Sequence, residues 1–294
     1  MQVGITGASG FLGRALTASL EGDGHQVRRL VRRPPGGPHE RQWDGVHLAP
    51  EALDGVDAVV HLAGAGVADK RWSPAYKRVI RDSRVLGTEA VARAVAHAHV
   101  PVLLSGSAIG YYGDRCDEVL DERSGPGEGF LPEVCLAWEA ATEHAREHSR
   151  VVTMRTGIVQ GRGGGALGKQ LLLYRLGLGA PLGSGSQWLS WISLTDYVGA
   201  VRHLLVSEVE GPVNVVAPQA VRNREFTKAM GREVHRPTVP VAVPGFVLRT
   251  VLGGVSTELL SGARVVPRVL ERDGFRFAHP DLESALHAEL HPAV

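Results

Sequence analysis

Near the start of this 294-residue chain, Gly7-Ala8-Ser9-Gly10-Phe11-Leu12-Gly13 has the residue types and spacing to hold a phosphate. Glycines three apart let the backbone turn, approach a pyrophosphate and pack a helix close to the preceding strand. The free N–H groups and positive end of that helix then face the anion. Gly7, Ser9, Gly10, Phe11 and Leu12 are therefore candidate cofactor contacts. The next strand selects the dinucleotide. A carboxylate at its end binds a ribose 2′-hydroxyl, whereas guanidinium forks suit a 2′-phosphate. The chain reads Leu30-Val31-Arg32-Arg33, with no acid before Glu40, so Arg32 and Arg33 predict NADP(H) rather than NAD.

The elements that must position these residues alternate between short apolar strands and helical patterns. Strands are expected at 3–5, 26–31, 57–62, 102–105 and 151–154, and helices at 11–22, 74–97 and 131–148. The run 57–62 is apolar almost throughout, as a strand buried on both faces should be. This pattern predicts an α/β fold, a Rossmann-type doubly wound parallel sheet, over residues 1–160. Beyond it, glycine-rich turns separate shorter elements, with a strand at 188–194, a helix to 206 and a strand at 212–216. Residues 161–294 are expected to form a smaller, mostly helical C-terminal substrate lobe, with segments within 186–216 folding back onto the first unit.

Further markers fall on these elements. Leu62-Ala63-Gly64 follows one strand, and Ser105-Gly106-Ser107-Ala108-Ile109-Gly110-Tyr111-Tyr112-Gly113 spans another. Arg155-Thr156-Gly157-Ile158-Val159 and Trp191-Ile192-Ser193-Leu194-Thr195-Asp196 come later. Together with the glycine loop they resemble the extended short-chain dehydrogenase/reductases. That resemblance implies that Leu62, Ala63 and Gly64 run along the adenosine ribose and that Ser105 and Ser107 belong to the serine-bearing strand. It also implies that the backbone at Ile158 faces the nicotinamide and that Arg84 is a cofactor-side contact.

Catalysis in that group depends on Tyr-x-x-x-Lys, and none of the five tyrosines here has a lysine four residues on. Cys135 stands at the expected tyrosine position and Glu139 at the lysine position. Cys135-x-x-Trp138-Glu139, with the flanking motifs, is similar nearly end to end to the sugar-nucleotide epimerase-like subfamily called epimerase family proteins. The resemblance implies an NADP-binding protein. The expected function is an NADP(H)-dependent oxidoreductase or epimerase-like enzyme on a small polar or carbonyl substrate. The alternative is a catalytically silent NADPH-binding regulator.

Candidate catalytic residues are Ser107, Cys135, Glu139, Tyr111 and Tyr112. Glu139, one turn beyond Cys135, would disfavour a thiolate, which makes a neutral thiol donor the coherent catalytic role for Cys135. Its other reading is a small buried hydrophobe. Glu139 is likewise either part of a proton relay or a structural anchor, and a tyrosine could supply a phenol instead.

Composition excludes several classes. With 32 basic and 31 acidic residues the net charge is +1, which gives no reason to expect nucleic acid or an anionic membrane. No apolar run approaches the roughly 20 residues of a membrane span, and the N-terminus lacks signal-peptide character. Two cysteines suit a reducing compartment, so a cytoplasmic protein is expected. Gly163 to Gln170 nearly spells a phosphate loop, but Gln170 replaces the hydroxyl that should hold magnesium. His287 and His291 share a helix face, yet Glu289 is misplaced for the zinc-protease motif and Pro292 ends the helix. They read as a solvated helix end, and no metal is expected.

Overall fold

The computed structural model describes residues 1–291; Pro292 and the two residues after it lie outside the described residues. β1 (Gln2–Thr6) enters α1 (Phe11–Gly22) through the glycine turn, and β2 (Gln26–Val31) and β3 (Glu40–Gln42) pair successively on one side of it. β4 (Ala58–His61), buried at every residue, pairs on the other side. The chain then runs through α2 (Pro74–His97), whose N-terminus Ser73 caps by accepting from Tyr76 N–H. Pro74 opens that helix, where no N–H is needed. β5 (Val102–Ala108) follows, with β6 (Val119–Leu120) and α3 (Phe130–Ala140) after it. Next come β7 (Arg150–Thr156), β8 (Ile158–Gln160), α4 (Gly165–Arg175), β9 (Trp188–Leu189) and β10 (Trp191–Ser193). α5 (Leu194–Val206) leads into β11 (Gly211–Val215).

The main sheet has seven strands in the order β11-β7-β5-β4-β1-β2-β3, every pair parallel. This is the Rossmann-type α/β fold. The chain reverses its direction of travel across the sheet between β1 and β4, where a ligand crevice forms at the carboxyl ends of the strands. Neighbouring residues of β4 serve opposite faces, as strand alternation requires. Val60 packs with Ile5, Leu16, Leu20 and Tyr197 beneath α1 and α5, while Val59 packs with Val91, Val95 and Leu103 beneath α2.

The rest of the described chain comprises β12 (Val221–Arg222), α6 (Asn223–Glu233), α7 (Gly245–Leu252), α8 (Val255–Leu260), β13 (Arg264–Val265), α9 (Arg268–Arg272) and α10 (Leu282–Leu290). A separate core joins α4, α6 and α10 around Trp191, Phe226, Met230 and Leu286. No helix among the described residues is long and apolar enough to cross a membrane.

Two expected elements are shorter than their patterns suggest. The helix expected over 131–148 ends at Ala140, where the Thr142 hydroxyl donates to the Glu139 carbonyl at 2.7 Å, and a short 3₁₀ turn over Glu143–Ala145 follows. The strand expected over 188–194 divides at Ser190, whose Oγ donates to the Ala263 carbonyl and accepts from Val265 N–H. β9 therefore pairs with β12 while β10 pairs with β8, and Leu194 already begins α5.

Candidate functional site

Each glycine of the turn has its own task. Gly7 takes φ +70°, and a side chain there would lie 2.9 Å from the Leu62 backbone. At Gly13 a Cβ would come within 2.2 Å of the Gly7 carbonyl oxygen, so glycine lets α1 sit against the turn. Gly10, the N-cap of α1, has ordinary extended backbone, and a Cβ would touch only the Gly7 oxygen, at 3.1 Å. Gly10 borders a cleft of about 650 Å³.

That cleft runs over Gly7, Ser9 and Gly10, past Arg32 and Arg33, and along Leu62, Ala63 and Gly64. The structure thus brings together these candidates from three strand ends. Thr6 fixes the last edge. Its Oγ1 accepts from Leu62 and Ala63 N–H at 3.1 and 3.2 Å and bonds His61 Nδ1 at 2.7 Å. Burial pushes the His61 pKa down to about 4, so this ring is a neutral wall of the fold.

The two arginines after β2 differ. Arg33 donates to both oxygens of Glu40, at 2.8 and 2.6 Å, and Glu40 also accepts from Gly36 N–H. These bonds, that of Arg33 first, hold the Glu40 carboxyl below its ordinary range. β3 lies beside β2 with Glu40 opposite Arg29, which places in the cleft wall an acid that the sequence separates from the strand end. Glu40 is occupied by Arg33, however. Among the described residues the Arg32 guanidinium has no hydrogen bond or ion pair, which leaves it available to a ligand.

Other cofactor candidates support the cleft from behind. A Cβ at Gly161 or Gly164 would lie 2.6 or 2.8 Å from the Phe11 ring, so the glycine run that mimics a phosphate loop wraps this side chain. Leu12 packs against the core beneath α1. Arg84 donates to the Ala65 and Ile80 carbonyls at 3.0 and 3.1 Å, over the Trp138 ring. Ser105 is fully buried in the sheet opposite His61. Arg14, Arg29 and Trp43 also line the cleft, outside the residues that the sequence marks. Arg14, whose Nη1 donates to the Ser9 carbonyl at 2.6 Å, stands four residues after Gly10, a spacing that could have flagged it. Trp43, buried edge-on to His61, lies in irregular chain with no local signal.

At the end of β5, Ser107 Oγ donates to Glu139 Oε1 at 2.6 Å. Arg155, from the adjacent β7, grips the same carboxylate through Nε and Nη2, both at 2.8 Å. Its side chain is only 4% exposed and lies over the Tyr111 ring, with Cζ 3.5 Å from the ring centroid. Burial alone would lower the Arg155 pKa, but hydrogen bonding to Glu139 and its charge, with help from Tyr112, outweigh burial and leave it raised. The guanidinium therefore stays charged beside Ser107 and Glu139. In the sequence Arg155 stands out only as part of the Arg155-Thr156-Gly157-Ile158-Val159 marker.

The remaining catalytic candidates are buried, as Ser107 is at 5% exposure. The Tyr112 hydroxyl donates to Asn214 Oδ1 at 2.7 Å, lies 3.0 Å from the Asp121 carbonyl and accepts from Arg155, while burial pushes its pKa up to about 12. Tyr111 is 8% exposed and its ring carries the guanidinium. Cys135 is 3% exposed among Tyr111, Tyr112 and Leu120, and its thiol is pushed up to about 12, by burial first and the Glu139 charge second. The thiol therefore stays protonated, and its place is a packed core. Past the end of β5, a second cavity of about 250 Å³ is lined by Ile109, Gly110, Ile158, Trp188 and Phe226, so both halves of the chain contribute to it.

The model of the NAD dependent epimerase/dehydratase family matches residues 3–217, and a domain of unknown function matches residues 243–289. An epimerase family protein of Mycobacterium bovis is 46% identical over 289 residues, covering 97% of this chain and 96% of that protein. The crystal structure of the human epimerase family protein SDR39U1 with NADPH aligns over 100% of both chains, with a TM-score of 0.92 and 34% identity. A nucleoside-diphosphate sugar epimerase from Corynebacterium glutamicum aligns over 99% of this chain and 58% of that one, with a TM-score of 0.83 and 36% identity.

Proposed function

Given that this chain belongs to the NAD dependent epimerase/dehydratase family, we propose that it is an NADP(H)-dependent, epimerase-like oxidoreductase acting on a small alcohol or carbonyl substrate. The observation that carries this reading is the free Arg32 guanidinium in a cleft that also includes Gly10, with Glu40, the carboxylate in that cleft's lining, held by Arg33. The human relative crystallised with NADPH supports the same choice. The dinucleotide supplies a hydride donor or acceptor when bound. The chain's own residues orient it, exclude water and handle the proton.

Ser107 stands two residues before Ile109, which lines the second cavity, and Glu139, clamped by Arg155, fixes the direction in which its proton points. In the oxidising direction the substrate hydroxyl gives its proton to Ser107 Oγ as that group passes its own to Glu139. Reduction runs the same path backwards. The apolar cavity walls favour a substrate with an apolar flank beside its reacting carbon.

Two expected results test the cofactor reading. NADPH should bind more tightly than NADH, and Arg32→Ala should weaken NADPH binding by on the order of 1.5–3 kcal/mol, the worth of a hydrogen bond to a charged group, while leaving NADH binding nearly unchanged. Calorimetric titration of both cofactors measures this, and equal wild-type affinities would refute it. Gly10→Val should abolish NADPH binding, because the branched side chain fills the space in which the backbone meets the pyrophosphate. The backbone there is unstrained, so the thermal midpoint should stay within about 4 °C of wild type. Undiminished binding by the folded variant would place the cofactor elsewhere.

A second reading has one specific support: the Tyr112 hydroxyl and the Cys135 thiol are both sealed from the cavities. Under it the protein binds NADPH as a regulator without turnover. A screen of NADPH oxidation and NADP⁺ reduction across small aldehydes, ketones, sugars and quinones separates the two. Tight cofactor binding without turnover on any of them favours the regulator.

A further inference from the structure

His287 and His291 lie one turn apart near the end of α10, and the sequence offers them no suitable carboxylate. The fold brings one from another element. Glu233, the last residue of α6, places Oε2 3.3 Å from His287 Nδ1 and 3.6 Å from His291 Nε2. One ligand atom from each of the three residues falls within 4.8 Å of the other two. In a tetrahedral zinc site, with metal–ligand bonds of about 2.0–2.2 Å, neighbouring ligand atoms stand about 3.4 Å apart. Two of the three edges are therefore close to that length already. The third closes by rotation of the His287 ring, whose side chain is 71% exposed.

The surroundings favour a fixed donor set. The Glu233 side chain is only 19% exposed, so its carboxylate is held by packing. His235, just beyond α6, sets its ring nearly perpendicular to that of His291, with centroids 6.3 Å apart, and limits the swing of that ring. The Glu233 carbonyl oxygen lies 3.2 Å from His291 Nε2, a further oxygen beside the same point. Two imidazoles and one carboxylate suit a borderline cation such as zinc; calcium and magnesium prefer all-oxygen shells.

We propose that Glu233, His287 and His291 form a zinc-class divalent metal site that fastens α10 to α6. The fourth position is open to solvent, and the site lies on helices outside the two clefts described above. Its consequence is structural: metal bound only by the folded state stabilises that state by mass action.

The test uses the full-length protein without an affinity tag, after chelator treatment and dialysis. Cobalt(II) titration should give the intense visible absorption of a tetrahedral site, saturating at one equivalent. Zinc should displace the cobalt and raise the thermal midpoint. Glu233→Gln and, separately, His287→Ala should each weaken zinc binding by on the order of 100-fold or more and remove the midpoint shift. His287 is too exposed for its loss to unfold the protein, and metal-free midpoints of both variants check this directly. Absence of uptake at micromolar zinc would show that the three side chains are only ion-paired and overturn the proposal. Uptake unchanged in both variants would overturn it equally, by locating the metal elsewhere.

Discussion

Replacing Arg155 with methionine should destabilise the protein by about 3–5 kcal/mol, the cost of removing one partner from a buried ion pair. The guanidinium is 4% exposed, and both of its bonds to Glu139 are 2.8 Å long. Without it, the Glu139 carboxylate keeps only Ser107 as a donor among these contacts. The Tyr112 hydroxyl also loses one partner, and the Tyr111 ring loses the cation lying over it. Denaturant unfolding of Arg155→Met measures the loss. The double variant Arg155→Met/Glu139→Leu should recover most of it, because apolar replacement of both partners is often near neutral. A single-variant cost below about 1 kcal/mol would mean that the pair behaves as a surface bridge and that the account of its burial is wrong.

Ser107→Ala should lower turnover by about 10²–10⁴-fold once a substrate is found, the usual worth of a positioned proton-transfer group. NADPH affinity should stay within about threefold, or ~0.7 kcal/mol, because Ser107 is not part of the cofactor cleft lining. The informative control is Cys135→Ala. A buried neutral thiol in a packed cluster predicts reduced stability with kcat essentially kept. A large kcat loss from Cys135→Ala, with Ser107→Ala active, would return the thiol to the role of proton donor and remove Ser107 from it.

The parts of this architecture that could be read from sequence are local ones. The glycine turn, the buried strand before Leu62 and the arginines after β2 each lie within a few residues of the element that positions them. Their chemistry shows in a short window, and the parallel sheet follows from the alternation. The proton-handling group resists such reading because its partners meet only after folding. Ser107 and Glu139 are 32 positions apart, and Tyr112 meets Asn214 across 102. Cys135 and Glu139 fall on neighbouring turns of one helix, so sequence spacing couples them. Packing instead turns the carboxylate to Ser107 and Arg155 and leaves the thiol in the core. Glu40 shows the same effect on a smaller scale. Seven positions separate it from Arg33, yet the short β3 brings it back to take one of two neighbouring guanidinium groups.

Phe11 fills a hollow whose walls are glycines 150 and more positions further along the chain. With gaps of 2.6 and 2.8 Å, a methyl group at Gly161 or Gly164 would displace the ring from its place. The first turn of α1 and the loop before α4 therefore share one fixed volume, and a gain on one side must be matched by a loss on the other. Drift at these positions is coupled: a smaller residue at 11 removes the closest approach at 161 and at 164, while Leu194 Cβ and the Cβ of residue 11, each 3.1 Å away, keep the two positions tight. Transplanting the glycine turn into a related scaffold thus carries a hidden requirement, since the loop that receives the ring has to travel with it.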